Sequence, residues 1–193
     1  MIAVVDYGAG NTGSVLNAIR HLGFSAILTH DAELLLRAEK VIFPGVGHAE
    51  KAMNQIVQKG LDRLIPKLTC PFLGICLGMQ LLGKESEEGH VSTLGIMPYT
   101  TKAFTVALPI PHMGWNEVKD RNKREEKGHF YFVHGYYVPL GPWTQWEAQY
   151  QHSFSAAVAY RNFFGVQFHP EKSGDAGLQL LHTFLTTCNL FQP

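Results

Sequence analysis

CPFLGICLGMQLLG, residues 70–83, runs an apolar stretch into a helical pattern and places a cysteine between two glycines at the join. The first six residues read as a short buried strand, and Leu77 begins a helix. Cys76 therefore falls at a strand-to-helix junction, with Gly74 two residues before it and Gly78 two after. Glycines there permit a tight turn that lifts the thiol over the C-terminal edge of a sheet, at a helix N-terminus whose dipole favours thiolate. A free cysteine more commonly fills core. That role is assigned to Cys70 and Cys188, because a glycine frame serves no purpose around a side chain that only packs.

Upstream, IAVV (2–5), SAILT (25–29) and KVIF (40–43) read as strands. Between them SVLNAIRHLG places Val15, Leu16, Ile19 and Leu22 on one helical face, and Asp31 leads a second helix, DAELLLRA. HAEKAMNQIVQKG then aligns Ala49, Ala52, Met53, Ile56 and Val57. Strands alternating with helices imply right-handed crossovers and an α/β fold, a flavodoxin-like three-layer open sheet that is mostly parallel. From about Thr93 the texture changes to short extended runs, TKAFTV, FYFVHGYYV, TQWEAQY, FSAAVAY and FFGVQFH, which predict strands and hairpins as an antiparallel extension. A closing helix presents Leu178, Leu181, Leu185 and Cys188 on one face. With neither repeat nor linker, residues 1–193 read as a single domain.

Charge excludes several function classes. Sixteen basic residues balance sixteen acidic ones, so no one-sided field invites nucleic acid or anionic lipid. The densest charge run, KDRNKREEK (119–127), mixes signs and reads as a solvated loop. No stretch approaches the roughly 18 apolar residues of a membrane span, and MIAVVDYG carries no signal-peptide pattern, so a cytoplasmic location is expected. Three cysteines without a CxxC pair suggest neither a disulfide framework nor a zinc site. No metal or cofactor is expected.

A thiolate nucleophile needs a base, and the base needs a group to orient it. GVQFHPEKSG (165–174) supplies both: His169 and Glu171 stand two apart in an extended segment and so leave it on one side, while Pro170 biases His169 towards that conformation. Attack on an amide carbonyl also requires oxyanion donors, each typically worth about 2.7–4 kcal/mol. The Leu77 N–H is one; FPGVGHAE (43–50), with Gly45 and Gly47 free to adopt unusual backbone angles, is placed to give another.

DYGAGN, FPGVGHAEKAM, GICLGMQLL, PHMGWN, FYFVHGYYV and GVQFHPEKSG occur in the order found in the class I, or triad, glutamine amidotransferases, and the chain resembles that superfamily along essentially its whole length. Within it, the Gly-Asn opening, the PGVG loop, the Met-Gly-Trp-Asn segment and the HPEKSG ending resemble the glutaminase subunits of imidazole glycerol phosphate synthases. The resemblance implies Cys76, His169 and Glu171 as nucleophile, base and orienting carboxylate. It also implies glutamine contacts at Gln80 and the backbone around Gly135, and an oxyanion hole drawn on Gly47 and Leu77. The implied partner is a (β/α)8-barrel cyclase subunit that takes the ammonia through a tunnel in a heterodimer. PHMGWN, with Trp115 and Asn116, and Lys172 would supply the interface. Gly135 replaces a hydroxyl residue frequent in relatives, and Tyr99 stands where many show glycine, which predicts an altered surface turn. The competing readings are the same chemistry serving another synthase and a silent regulatory subunit, which predicts a broken triad; an α/β-hydrolase would need G-x-S-x-G, which is absent.

Overall fold

Alternate residues of the strand Ile2–Val5 part company: Ile2 and Val4 enter one hydrophobic cluster and Ala3 and Val5 another. A strand buried on both faces in this way needs a layer of helices on each side. The computed structural model describes every residue except Val106, Cys188, Asn189, Gln192 and Pro193. In chain order the first half forms β1 (Ile2–Val5), α1 (Thr12–His21), β2 (Ala26–Thr29), α2 (Ala32–Leu36), β3 (Lys40–Gly45), α3 (Ala49–Gln58), α4 (Leu61–Leu64), β4 (Phe72–Cys76) and α5 (Leu77–Gln80). The second half forms β5 (Glu85–Ser86), β6 (Val91–Ser92), β7 (Thr100–Ala103), β8 (His112–Asp120), β9 (Glu126–His134), β10 (Tyr136–Tyr137), β11 (Thr144–Tyr150), β12 (His152–Tyr160), β13 (Phe163–Val166) and α6 (Gly174–Thr186).

Nine strands make one sheet in the order β2-β1-β3-β4-β13-β12-β11-β8-β9. β2, β1, β3, β4 and β13 run parallel, and every pairing from β13 to β9 is antiparallel. The antiparallel extension thus has as many ladders as the parallel half. A second, four-stranded sheet has the order β10-β7-β5-β6. One face of the large sheet is covered by α1 and α6, through Val15, Ile19, Leu181 and Phe184. The other is covered by α2 to α5, through Leu35, Met53, Ile56, Leu61 and Met79. Asp31 caps α2 by accepting from the Leu34 N–H at 3.0 Å, which fixes where that helix starts.

Three expectations change. Val57 is 55% exposed, because it lies at the edge of the stripe that Ala49, Ala52, Met53 and Ile56 bury. KDRNKREEK is a loop only at its centre: Lys119 and Asp120 end β8, Glu126 and Lys127 open β9, and the exposed turn between them is capped by Asp120, whose carboxylate accepts from the Asn122 and Lys123 N–H groups. Tyr99 is buried and not part of a surface turn; its hydroxyl donates to the Met79 carbonyl at 2.5 Å, and its ring fills the place a side chain at position 83 would take. The predicted burial of Cys188 lies outside the described residues, while Cys70 is half-buried. Among the described residues no helix is long and apolar enough to cross a membrane.

Candidate active site

Three neighbouring parallel strands end at the same edge. Gly45 at the end of β3 pairs with Cys76 at the end of β4, and Ile75 pairs with Val166 at the end of β13. The segments leaving these ends, Val46–Gly47, α5 and residues 167–172, therefore converge without long connections. Cys76 has φ 54° and ψ −111°, a strained conformation for a side-chain-bearing residue. It is held there by close backbone contact: a Cβ at Gly78 would stand 2.0 Å from the Phe43 carbonyl oxygen, and one at Gly74 would stand 2.7 Å from the Gly78 backbone. The two glycines let α5 press directly on β3 and β4, and the cysteine between them must turn out of line.

The sulfur faces a cavity of about 300 Å³, within the range of small-molecule sites. Gly47, Cys76, Leu77, Gln80, Gly135, His169 and Lys172 all line it. Glu171 lies behind His169, its side chain 1% exposed, with Oε1 3.0 Å from the imidazole Nδ1. The pairing arises differently from the expected extended geometry. His169 is extended, at φ −100° and ψ 96°, but Pro170–Lys172 is a 3-10 turn, and that turn brings the carboxylate round to the ring. The backbone beneath is pinned: the His169 N–H donates to Tyr131 O at 2.9 Å, and the Ser173 hydroxyl donates to the His169 carbonyl at 2.6 Å.

Burial works against charge on His169, but hydrogen bonds to Cys76 and Glu171, with the negative charges on both, outweigh it and push its pKa up to about 10. His169 is thus placed to receive the proton of the Cys76 thiol. Tyr7 of the DYGAGN opening is fully buried nearby, and its phenol is raised by burial and then by the Cys76 charge. In the cavity wall, His134 Nδ1 donates to Tyr136 O at 2.8 Å, so its Nε2 must accept from His112 Nδ1 at 2.9 Å. Both rings stay neutral, with burial depressing His112 to about 4 and His134 to about 3.

The predicted interface residues divide. Trp115 is 58% exposed and Met113 62%; on the same sheet face their antiparallel partners are Tyr131 and Val133. Val133 and Pro111 also line the cavity, so this apolar patch reaches the cavity mouth, where Lys172 is exposed. Asn116 points to the opposite face, as the two-residue period of a strand demands, and its amide donates to Gln149 O at 2.9 Å and meets His112 Nε2 at 3.3 Å. Two site residues escaped the sequence reading. Among the described residues Glu88 is the one carboxylate lining the cavity, and its Oε2 accepts from the Ala49 N–H at 2.7 Å. Gln167 is fully buried beside the thiol. Its place two residues before His169 in an extended run was the available signal.

A buried cysteine on a strained strand-to-helix turn, lining one cavity with a carboxylate-held histidine, has the make-up of a thiol nucleophile and its base. The chain belongs to the class-I glutamine amidotransferases, whose family pattern matches residues 3–188. Among its relatives, imidazole glycerol phosphate synthase subunit HisH of Bacteroides fragilis is 47% identical over 192 residues, covering 95% of this chain and 98% of that protein. The subunit of the same name from Salmonella typhimurium is 46% identical with the same coverage. The fold is shared with a crystal structure described as a glutamine amidotransferase, at a TM-score of 0.76 and 18% identity over 96% of this chain and 98% of that one. It is shared also with PurLQS from Thermotoga maritima, at 0.69 and 20% over 95% and 96%.

Proposed function

We propose that this chain is the glutaminase subunit of an imidazole glycerol phosphate synthase, acting in histidine biosynthesis and delivering ammonia to a (β/α)8-barrel cyclase subunit. The observation that carries the chemistry is the convergence of Cys76, His169 and the Val46–Gly47 segment from three adjacent strand ends. Glutamine enters with its side-chain amide at Cys76. Its α-ammonium group needs a counter-charge, for which Glu88 is the lining carboxylate, and its α-carboxylate meets the backbone around Gly135. Gln80 is buried with its amide nitrogen donated to Tyr136 O and Gln167 Oε1, so it shapes the cavity wall through a fixed network.

Attack by the Cys76 thiolate forms a C–S bond and places negative charge on the amide oxygen, towards the Leu77 N–H at the start of α5 and the backbone near Gly47. The imidazolium of His169 then protonates the departing nitrogen, and ammonia leaves a glutamyl thioester. In the second half His169 takes a proton from water as its oxygen adds to the thioester carbonyl. Collapse breaks the C–S bond, returns the electron pair to sulfur and releases glutamate. Glu171 holds the imidazole in register throughout.

The patch of Met113, Trp115, Tyr131 and Val133, rimmed by Lys172, is the proposed docking face for the cyclase. A partner seated there closes the cavity mouth against loss of ammonia to water. The test is glutamate release by the purified chain, alone and with the cyclase subunit plus its nucleotide ligand. Strong stimulation by the partner and a dead Cys76→Ala variant support the reading. Turnover that depends on Cys76 but ignores the cyclase would place the chemistry in another synthase.

A further inference from the structure

The glutaminase reading accounts for His169 at the thiol, with Glu171 behind it, but a further side chain touches the sulfur. Gln167 follows the last residue of β13 and is wholly enclosed. Its orientation is fixed by its neighbours. Gln80 Nε2 lies 2.9 Å from Tyr136 O and 3.0 Å from Gln167 Oε1; a carbonyl can only accept, so Gln80 spends both N–H groups as donor and Gln167 Oε1 is the acceptor. Gln167 Nε2 is thereby turned to the Cys76 sulfur at 3.7 Å, and the sulfur is the one acceptor recorded for it among the described residues.

The sulfur also meets Val133 O, again at 3.7 Å. These two contacts suit different protonation states. A thiol can donate to the Val133 carbonyl; a thiolate cannot, and is repelled by it. A thiolate can accept from the Gln167 amide, and a charged acceptor makes the stronger bond. Movement of the thiol proton to His169 therefore exchanges one contact for the other.

We propose that Gln167 is a further catalytic group of the glutaminase site, donating from Nε2 to the Cys76 sulfur whenever it carries negative charge. That is the case once His169 has taken the thiol proton and again when the thioester breaks down. In the second event water has added to the thioester carbonyl with loss of its proton to His169, the oxyanion re-forms the carbonyl, the C–S bond breaks and its electron pair passes to sulfur. The Gln167 N–H meets that developing charge. The inference rests on Cys76 being the nucleophile.

Two substitutions separate this role from filling space. Gln167→Met removes the donor at similar length. Gln167→Glu keeps an oxygen for Gln80 and sets an acceptor against the sulfur. With the cyclase partner and its nucleotide present, Gln167→Met is expected to lower kcat about 10- to 100-fold, as for loss of a hydrogen bond to a charged group, with KM within about threefold. Gln167→Glu is expected to fall further. Alkylation of Cys76 by iodoacetamide, which requires neither glutamine nor partner, should slow in the same order. In the unsubstituted protein the side-chain amide proton resonances of Gln167 should shift when Cys76 is alkylated, a readout that survives any failure of the variants to fold. Wild-type alkylation rates in both folded variants, or amide resonances indifferent to alkylation, would overturn the proposal and leave the glutaminase reading standing. A wild-type Cys76 no more reactive than Cys70 would overturn both.

Discussion

At Gly135 the chain lacks a side chain on the wall of a cavity built for a polar substrate. A Cβ there would meet only Ile110 Cγ2 at 3.5 Å, ordinary contact, so the backbone admits a larger residue. Gly135→Ser is expected to fold normally and to lower KM for glutamine about two- to tenfold by adding one neutral hydrogen bond, leaving kcat nearly unchanged. A raised KM would show that the hydroxyl blocks the site. The proposed nucleophile and base stood out in the sequence because their neighbours are constrained: Gly74 and Gly78 frame the thiol, and Pro170 biases His169 towards an extended conformation. Gln167 offered only its place two residues before His169, because its partners Cys76 and Gln80 come from β4 and α5, far away along the chain. Asn116, grouped with Trp115 in one motif, lies on the other face of β8. Membership of a motif says nothing about which face of a strand a residue occupies.

The elements around the thiol are short and lean on distant groups. α5 spans only Leu77–Gln80, too few residues to hold itself together, so its position is set by contact with β3 and by bonds to its carbonyls from elsewhere. Tyr99 donates to Met79 O and Thr101 to Gln80 O. Gly78→Ala drives a methyl into the Phe43 carbonyl, a backbone atom that cannot swing away. It should destabilise the fold by about 3 kcal/mol, at the upper end of overpacking costs, and depress glutaminase activity even in the fraction that folds. Denaturant unfolding checks the first and turnover the second; a near-neutral result would show that α5 is free to shift. Tyr99→Phe, which removes one buried donor and keeps the ring, should cost about 1 kcal/mol. Most of the parallel half was readable, α4 excepted, since β1, β3 and β4 are apolar runs buried on both faces and α1 and α3 carry clear stripes. The β8–β9 hairpin was not, because charge at its tip resembles charge in a loop, whereas the pairing that makes it strand, from His112↔His134 to Lys119↔Glu126, is a property of two segments together.

Across the whole molecule, titration links the site to stability, with opposite signs in two places. His134 and His112, depressed to about 3 and about 4 against an ordinary 6.5, stay neutral in the fold; below pH 6.5 the unfolded chain takes up protons that the folded one refuses, and stability falls. Urea unfolding of His134→Gln between pH 6.5 and 4 should show a shallower slope, by at most about 1.4 kcal/mol per pH unit for the one proton removed. Parallel slopes would show that His134 is not excluded from protonation. His169, raised to about 10, contributes stability that is fully present below pH 6.5 and is lost as pH climbs through about 10, so the wild type's Tm advantage over His169→Asn should shrink across that interval. The order of the large sheet carries a further consequence, for the time course of folding. β4 pairs on one side with β3, close in the chain, and on the other with β13, which arrives only after the antiparallel strands have been laid down. Joining segments so distant requires closing a long loop before its contacts are gained, which makes such pairings slow. During refolding, strand and helix signals of the first half should therefore return ahead of glutamine turnover, with catalysis switching on when β13 docks and brings His169 to the waiting thiol.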